Sequence, residues 1–161
     1  MISETCIGEC MKRDVVVVTA STTVEEATRL VVQKHVGTLP VVDEEGLLIG
    51  VVRVQDLLRV FMPDFVALLN NIAFVRDFGA LEQVEPKDLS EAARLTIGDL
   101  AEAPVAVEEE SGLMHACATI VKHQLQDLPI VDKAGRLVGI ASRVDIAAAF
   151  FAPWIRQESS S

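Results

Sequence analysis

The chain has 161 residues, half of them apolar, and a formal charge of −10 at pH 7. That is one domain's worth of chain, or two small halves sharing a core, with ample apolar side chain to build it. The charge disfavours nucleic-acid phosphates and anionic membranes as partners, and no apolar run approaches the roughly 18 residues of a spanning helix.

The opening MISETCIGECMKRD carries acids early and has no signal-peptide apolar core, so a cytoplasmic chain is expected. The three cysteines, Cys6, Cys10 and Cys117, form no paired framework and read as free thiols of a reducing compartment. Cys6-x3-Cys10 could offer two metal ligands, but no second pair accompanies it. The β-branched run Val15–Val18 predicts a buried strand. In STTVEEATRLVVQKH, Thr22 or Thr23 stands three residues before Glu25 or Glu26, a capping-box helix start. Val24, Ala27, Leu30 and Val31 then share one helical face. A strand Leu39–Val42, a turn closed by Gly46, a strand Leu47–Val52 and a helix from about residue 54 follow.

Pro63 and Asp64 then open a connector with a helical stripe at Phe65, Leu68, Leu69, Ile72 and Val75, which suits core packing or a partner surface. QVEPKD is turn-like, and SEAARL adds a short helical piece from Ser90. The first order of elements then returns: a strand Val105–Val107, a helix with Leu113, Ala116, Ile120 and Val121 on one face, and a strand Leu128–Val131. A turn at Gly135, a strand Arg136–Ala141 and a helix from about residue 143 complete it. The expected division is 1–61 for a first repeat, 62–96 for a helical connector, 97–154 for a second repeat and 155–161 for a flexible tail.

Laid over each other with an offset of 89, Thr22–Phe61 and Ser111–Phe150 match without a gap. Identities fall at Leu39/Leu128, Pro40/Pro129, Asp43/Asp132, Gly46/Gly135, Gly50/Gly139, Asp56/Asp145 and Phe61/Phe150, among others. Chance does not hold two glycines, a proline and two aspartates in register, so the chain is an internal duplication of a β-α-β-β-α unit. A unit of about 60 residues is marginal alone. The expected α/β fold therefore packs two units sheet to sheet about a pseudo-twofold. VQDLLRVF and RVDIAAAFFAPWI are apolar over more of their circumference than one sheet covers, and with Phe151 and Trp154 they suggest a homodimer.

Each copy closes on an aspartate. In Ser142-x-x-Asp145 the pair can simply start a helix, with Ser142 as cap and Asp145 facing the helix dipole. It can equally serve a ligand, since a carboxylate at a helix start can accept two ribose hydroxyls. In the first copy Arg53 replaces the serine and cannot accept a backbone N–H. It could pair with Asp56 or present a bidentate donor to a phosphate.

The doubled pattern apolar-Pro-Val/Ile-Val-Asp-x2-Gly-x-Leu-x-Gly-x2-[Ser/Thr]-x2-Asp, with the opening CMKRDVVVVTASTTVEEA, resembles the CBS (cystathionine β-synthase) domain, here as a tandem or Bateman pair. The resemblance implies that the closing Asp binds ribose, the Ser or Thr a phosphate oxygen, and the first two strands the base. In the second repeat these positions are Asp145, Ser142, Pro104, Val105, Leu128 and Pro129. In the first they are Asp56, Arg53, Val15, Val16, Thr38, Leu39 and Pro40. Arg53, Thr38 and Asp127 depart from the family's pattern, and Asp127 would repel a triphosphate without Mg²⁺. The implied function is regulatory: an adenosine-containing ligand (AMP, ADP, ATP or S-adenosylmethionine, with or without Mg²⁺) binds between the repeats, and an effector protein reads the result. No obligatory cofactor is expected. The rival expectation is a structural dimerisation module whose sites stay empty. An enzyme is not expected: the sequence has no tyrosine, no Gly-rich phosphate loop with lysine, no His-Glu-x-x-His and no nucleophile elbow.

Overall fold

A computed structural model describes residues 5–62 and 89–158, so the connector stripe at Phe65–Val75 and the QVEPKD turn lie outside it. After a 3₁₀ turn at Ile7–Glu9, the first unit runs α1 (Val24–Lys34), β1 (Thr38–Val42), β2 (Leu48–Arg53) and α2 (Val54–Phe61). Two short helices, α3 (Leu89–Arg94) and α4 (Ile97–Leu100), precede the second unit. That unit is β3 (Val107–Glu108), α5 (Leu113–His123), β4 (Asp127–Val131), β5 (Leu137–Ser142) and α6 (Arg143–Glu158). The last helix thus runs past residue 155, where the tail was expected to begin.

Local chemistry explains the boundaries. Thr23 and Glu26 close a reciprocal capping box on α1. The second unit starts α5 on Gly112, with no side-chain cap. Both helices end in a left-handed residue at equivalent positions, His35 (φ 51) and Gln124 (φ 53). The hairpins turn on Gly46 (φ +83) and Gly135 (φ +85), where a side chain would be strained. β1–β2 and β4–β5 are antiparallel and slip register at the same place, Val41/Val42 and Ile130/Val131. The two hairpins thus match down to the bulge.

The twofold shows in backbone bonds between the hairpin turns. Leu48 N–H donates to Gly135 O at 3.1 Å, and Leu137 N–H donates to Gly46 O at 3.0 Å. These are the same bond with the halves exchanged.

One feature escaped the sequence reading. The predicted strand Val15–Val18 joins a sheet only through Val18, which bridges Val41 in parallel. Six residues earlier Lys12 pairs antiparallel with Ile140, on the edge of the other sheet. Likewise Glu102 pairs with Val51 in the first sheet before Val107 pairs with Ile130 in the second. Each leading segment therefore crosses from one sheet to the other, and residues in transit cannot hold a ladder. The cores follow the exchange. Ile7 is enclosed with Leu113, Leu128, Ile130 and Ile146 of the second unit, while Ile97 is enclosed with Val24, Leu39, Val41 and Val52 of the first.

Candidate functional site: the cleft between the repeats

Alternation along β2 and β5 turns Gly50, Val52, Gly139 and Ala141 toward the cores, and Val51, Arg53, Ile140 and Ser142 toward the cleft. Two cavities open there. One, of about 190 Å³, is lined by Val51 and Arg53 of β2, by Glu102, Ala103 and Val105 of the crossing segment, and by Pro129 and Asp127 of β4, among others. The other, of about 430 Å³, lies on the pseudo-twofold. Its walls are equivalent pairs: Gly37/Gln126, Thr38/Asp127, Arg53/Ser142, Val54/Arg143 and Gln55/Val144. Between them Thr38 Oγ1 donates to Asp127 Oδ2 at 2.8 Å, a hydrogen bond across the axis.

The two helix starts differ. In the first half, Asp56 is 9% exposed. Its Oδ2 accepts from Arg53 N–H at 2.9 Å and Arg53 Nε at 3.3 Å, and Arg59 lies 3.6 Å from Oδ1. Arg53 is also held at 2.9 Å by Glu102 Oε2. Both the cation and the carboxylate of this half already have partners. In the second half, Ser142 Oγ accepts from Asp145 N–H at 3.1 Å, the expected cap. The half-buried Asp145 carboxylate makes no hydrogen bond or ion pair among the described residues. It lies near Cys10, whose thiol pKa is raised mainly by burial and further by the charges of Glu9, the neighbouring thiols and Asp145. All three cysteines are free.

Of the residues singled out from sequence, Thr38, Arg53, Val105, Pro129 and Ser142 line the cavities. Leu39, Pro40 and Leu128 are enclosed in the cores and offer a cleft ligand little beyond their backbone. Val15, Val16 and Pro104 are half-buried on the crossing segments. The exchange regroups them: Val105 and Pro129 stand with Arg53 of the first repeat, not with Ser142 of their own. Sequence reasoning missed Glu102 and Gln126. No local pattern marks Glu102, because its place depends on which sheet edge the crossing segment reaches.

A doubled β-α-β-β-α unit, with two aspartate-bearing helix starts flanking an axial cleft, defines a paired ligand-domain architecture. The chain belongs to the CBS-domain family, whose model matches residues 7–63 and 97–152. It is 34% identical over 152 residues to the chloroplastic CBS domain-containing protein CBSX1 of Arabidopsis thaliana, covering 89% of this chain and 63% of that protein. It thus spans somewhat less than two thirds of that relative. Among solved structures, Arabidopsis CBSX2 superposes with a TM-score of 0.71 at 29% identity, over 96% of this chain and 99% of that one. CBSX2 in complex with AMP gives a TM-score of 0.66 at 30% identity, over 94% and 98%. Among the described residues no helix is long and apolar enough to cross a membrane.

Proposed function

We propose that the chain is a regulatory module that binds an adenosine-containing ligand in the cleft between its repeats, with Asp145 taking the ribose. One observation carries the reading: of two equivalent aspartates, Asp56 is enclosed by arginine partners, while the Asp145 carboxylate accepts no hydrogen bond among the described residues. A half-buried carboxylate in that state is ready to accept two hydroxyls. The AMP complex of CBSX2 supports the same ligand class.

The mechanism is linkage. The cleft is walled by both repeats and by the segment leading into the second, so a ligand that fits one arrangement of the halves better stabilises that arrangement. The exposed apolar faces of α2 and α6 would join two copies, and an effector protein would read their disposition. Its free thiols suit the cytoplasm.

Calorimetric titration with AMP and S-adenosylmethionine tests this reading. Asp145→Asn preserves size but removes the charge and one acceptor oxygen. A charge-assisted hydrogen bond contributes about 1.5–3 kcal/mol, so affinity should fall roughly 10- to 100-fold. Unchanged affinity in the folded variant would end the ribose assignment.

A second reading, a dimerisation scaffold with empty sites, draws on the closed first half, where Glu102 and Asp56 saturate Arg53. Wild-type protein that binds no adenosyl ligand would favour it.

A further inference from the structure

Three thiols gather where the first leading segment docks on the second half. Cys6 and Cys10 bracket the 3₁₀ turn Ile7–Glu9, and Cys6 bridges Gly112, the residue before α5. Ile7 N–H donates to Ser111 O at 2.8 Å, Gly8 N–H to Glu109 O at 3.0 Å, and Leu113 N–H to Thr5 O at 3.2 Å. The turn is thus fixed beside the helix that carries Cys117. Cys10 and Cys117 are both half-buried and pack against one core cluster, that of Ile7, Leu113, Ala116 and Ile120. Burial raises the pKa of both thiols. The charges of Glu9, Cys6, Asp145 and Cys117 raise that of Cys10 further, so Cys117 lies within electrostatic reach of it.

Clustered thiols can hold a metal or exchange electrons. Among the described residues no three histidine, cysteine, aspartate or glutamate side chains are placed to hold a metal ion, which leaves the redox use. Cys6 and Cys10 are poorly placed for each other. A 3₁₀ turn rises about 2 Å per residue, so residues four apart stand roughly 8 Å apart along its axis. A disulfide joins Cα atoms no more than about 7 Å apart. Cys6 Sγ also turns to Glu9 Oε1, at 3.9 Å. Cys117 comes from a separate element packed on the same core, so no helical rise holds it away from Cys10.

We infer that Cys10 and Cys117 are a redox pair that closes into a disulfide and staples the leading segment to α5. The oxidant is a low-molecular-weight disulfide. The Cys10 thiolate attacks one of its sulfurs and releases one small thiol. The Cys117 thiolate then attacks the Cys10 sulfur of the mixed disulfide and releases the second. Two protein thiols are oxidised, one small disulfide is reduced to two thiols, and the protons of the protein thiols pass to the leaving groups. The closed loop, from residue 10 to residue 117, restricts the unfolded chain and so stabilises the oxidised fold. The same segment goes on to pair Val18 with Val41 of the first sheet, so the staple fixes one end of a strap that joins the halves.

The test equilibrates the 161-residue chain with graded ratios of reduced and oxidised glutathione, then quenches with acid, alkylates the remaining thiols and maps peptides by mass spectrometry without reduction. In oxidised glutathione the wild type should lose two of its three free thiols, keep Cys6 open to alkylation and yield a linked Cys10–Cys117 peptide. Its melting midpoint should rise by roughly 5–15 °C over the reduced protein. Cys6→Ser should behave alike, whereas Cys117→Ala should stop at a glutathione adduct on Cys10 and show no rise. Closure should quicken from about pH 7 to about pH 9, because thiolate is scarce where burial raises the thiol pKa. A linked Cys6–Cys10 peptide, glutathione adducts without a link, disulfide-joined dimers, or three free thiols after full equilibration would each overturn the inference. These four outcomes are read on the wild-type chain, so a variant that folds poorly does not blunt them.

Discussion

Asp56 and Asp145 are the same residue of the same motif, and their partners make them different. Asp56 accepts from the Arg53 backbone and guanidinium and sits beside Arg59. Its replacement by asparagine leaves those groups poorly matched in a nearly enclosed place, which costs about 1–3 kcal/mol. Asp145 contributes to the fold mainly through the helix dipole, worth a few tenths to about 1 kcal/mol. Urea unfolding should therefore find Asp56→Asn clearly the less stable variant, although titration should find Asp145→Asn the poorer binder. Equal stability losses would mean that the Arg53 network contributes no more than the dipole does.

At the scale of the element, the bridge that each crossing segment makes to β2 or β5 depends on a glycine. A Cβ built on Gly139 would lie 2.9 Å from Lys12 O and closer still to Met11, whereas on Gly50 it would lie 3.2 Å from Glu102 O and Ala101 Cβ. Met11 can swing aside, but the Lys12 carbonyl is fixed by its hydrogen bond to Ile140. Gly139→Ala should cost about 1–3 kcal/mol through this overpacking. Gly50→Ala should cost less, because its contacts need yield only a few tenths of an ångström and alanine also restricts the unfolded chain. Urea midpoints for the two variants check the order, and the reverse order would argue that the crossing segment does not approach β5 this closely.

For the whole molecule the surface is the telling feature. Leu58 and Met62 at the end of the first unit, and Val144, Phe151, Trp154 and Ile155 along α6, are exposed apolar residues. Phe150, Phe151 and Trp154 form one aromatic cluster of edge-on and tilted rings, with centroids 5.6–6.5 Å apart. Such a surface suits burial against a second copy. At micromolar concentration the 17.4 kDa chain should sediment at twice its mass. Phe151→Lys combined with Trp154→Lys should return it to the monomer, and a wild-type chain that sediments as a monomer would rule out this assembly.

The duplication, the family, the hairpin glycines, the capping box and the closing aspartates could all be read from the chain itself. The duplication and the family show as one pattern written twice at an offset of 89, and the rest can be read because each depends on neighbours close in sequence: a cap three residues from its acceptor, a glycine where φ must be positive. The pairing of Arg53 with Asp56, three residues away, is one of the readings the chain offers, but not the second carboxylate on the same guanidinium, Glu102, 49 positions distant. Nor could the grouping of site residues within each repeat be read there, which the crossing of the leading segments rearranges so that Val105 stands with Arg53. Sheet-edge pairing between distant segments is set by the shape of both finished sheets. No local pattern encodes it, and only the folded chain determines which half of the cleft keeps its charges unmatched.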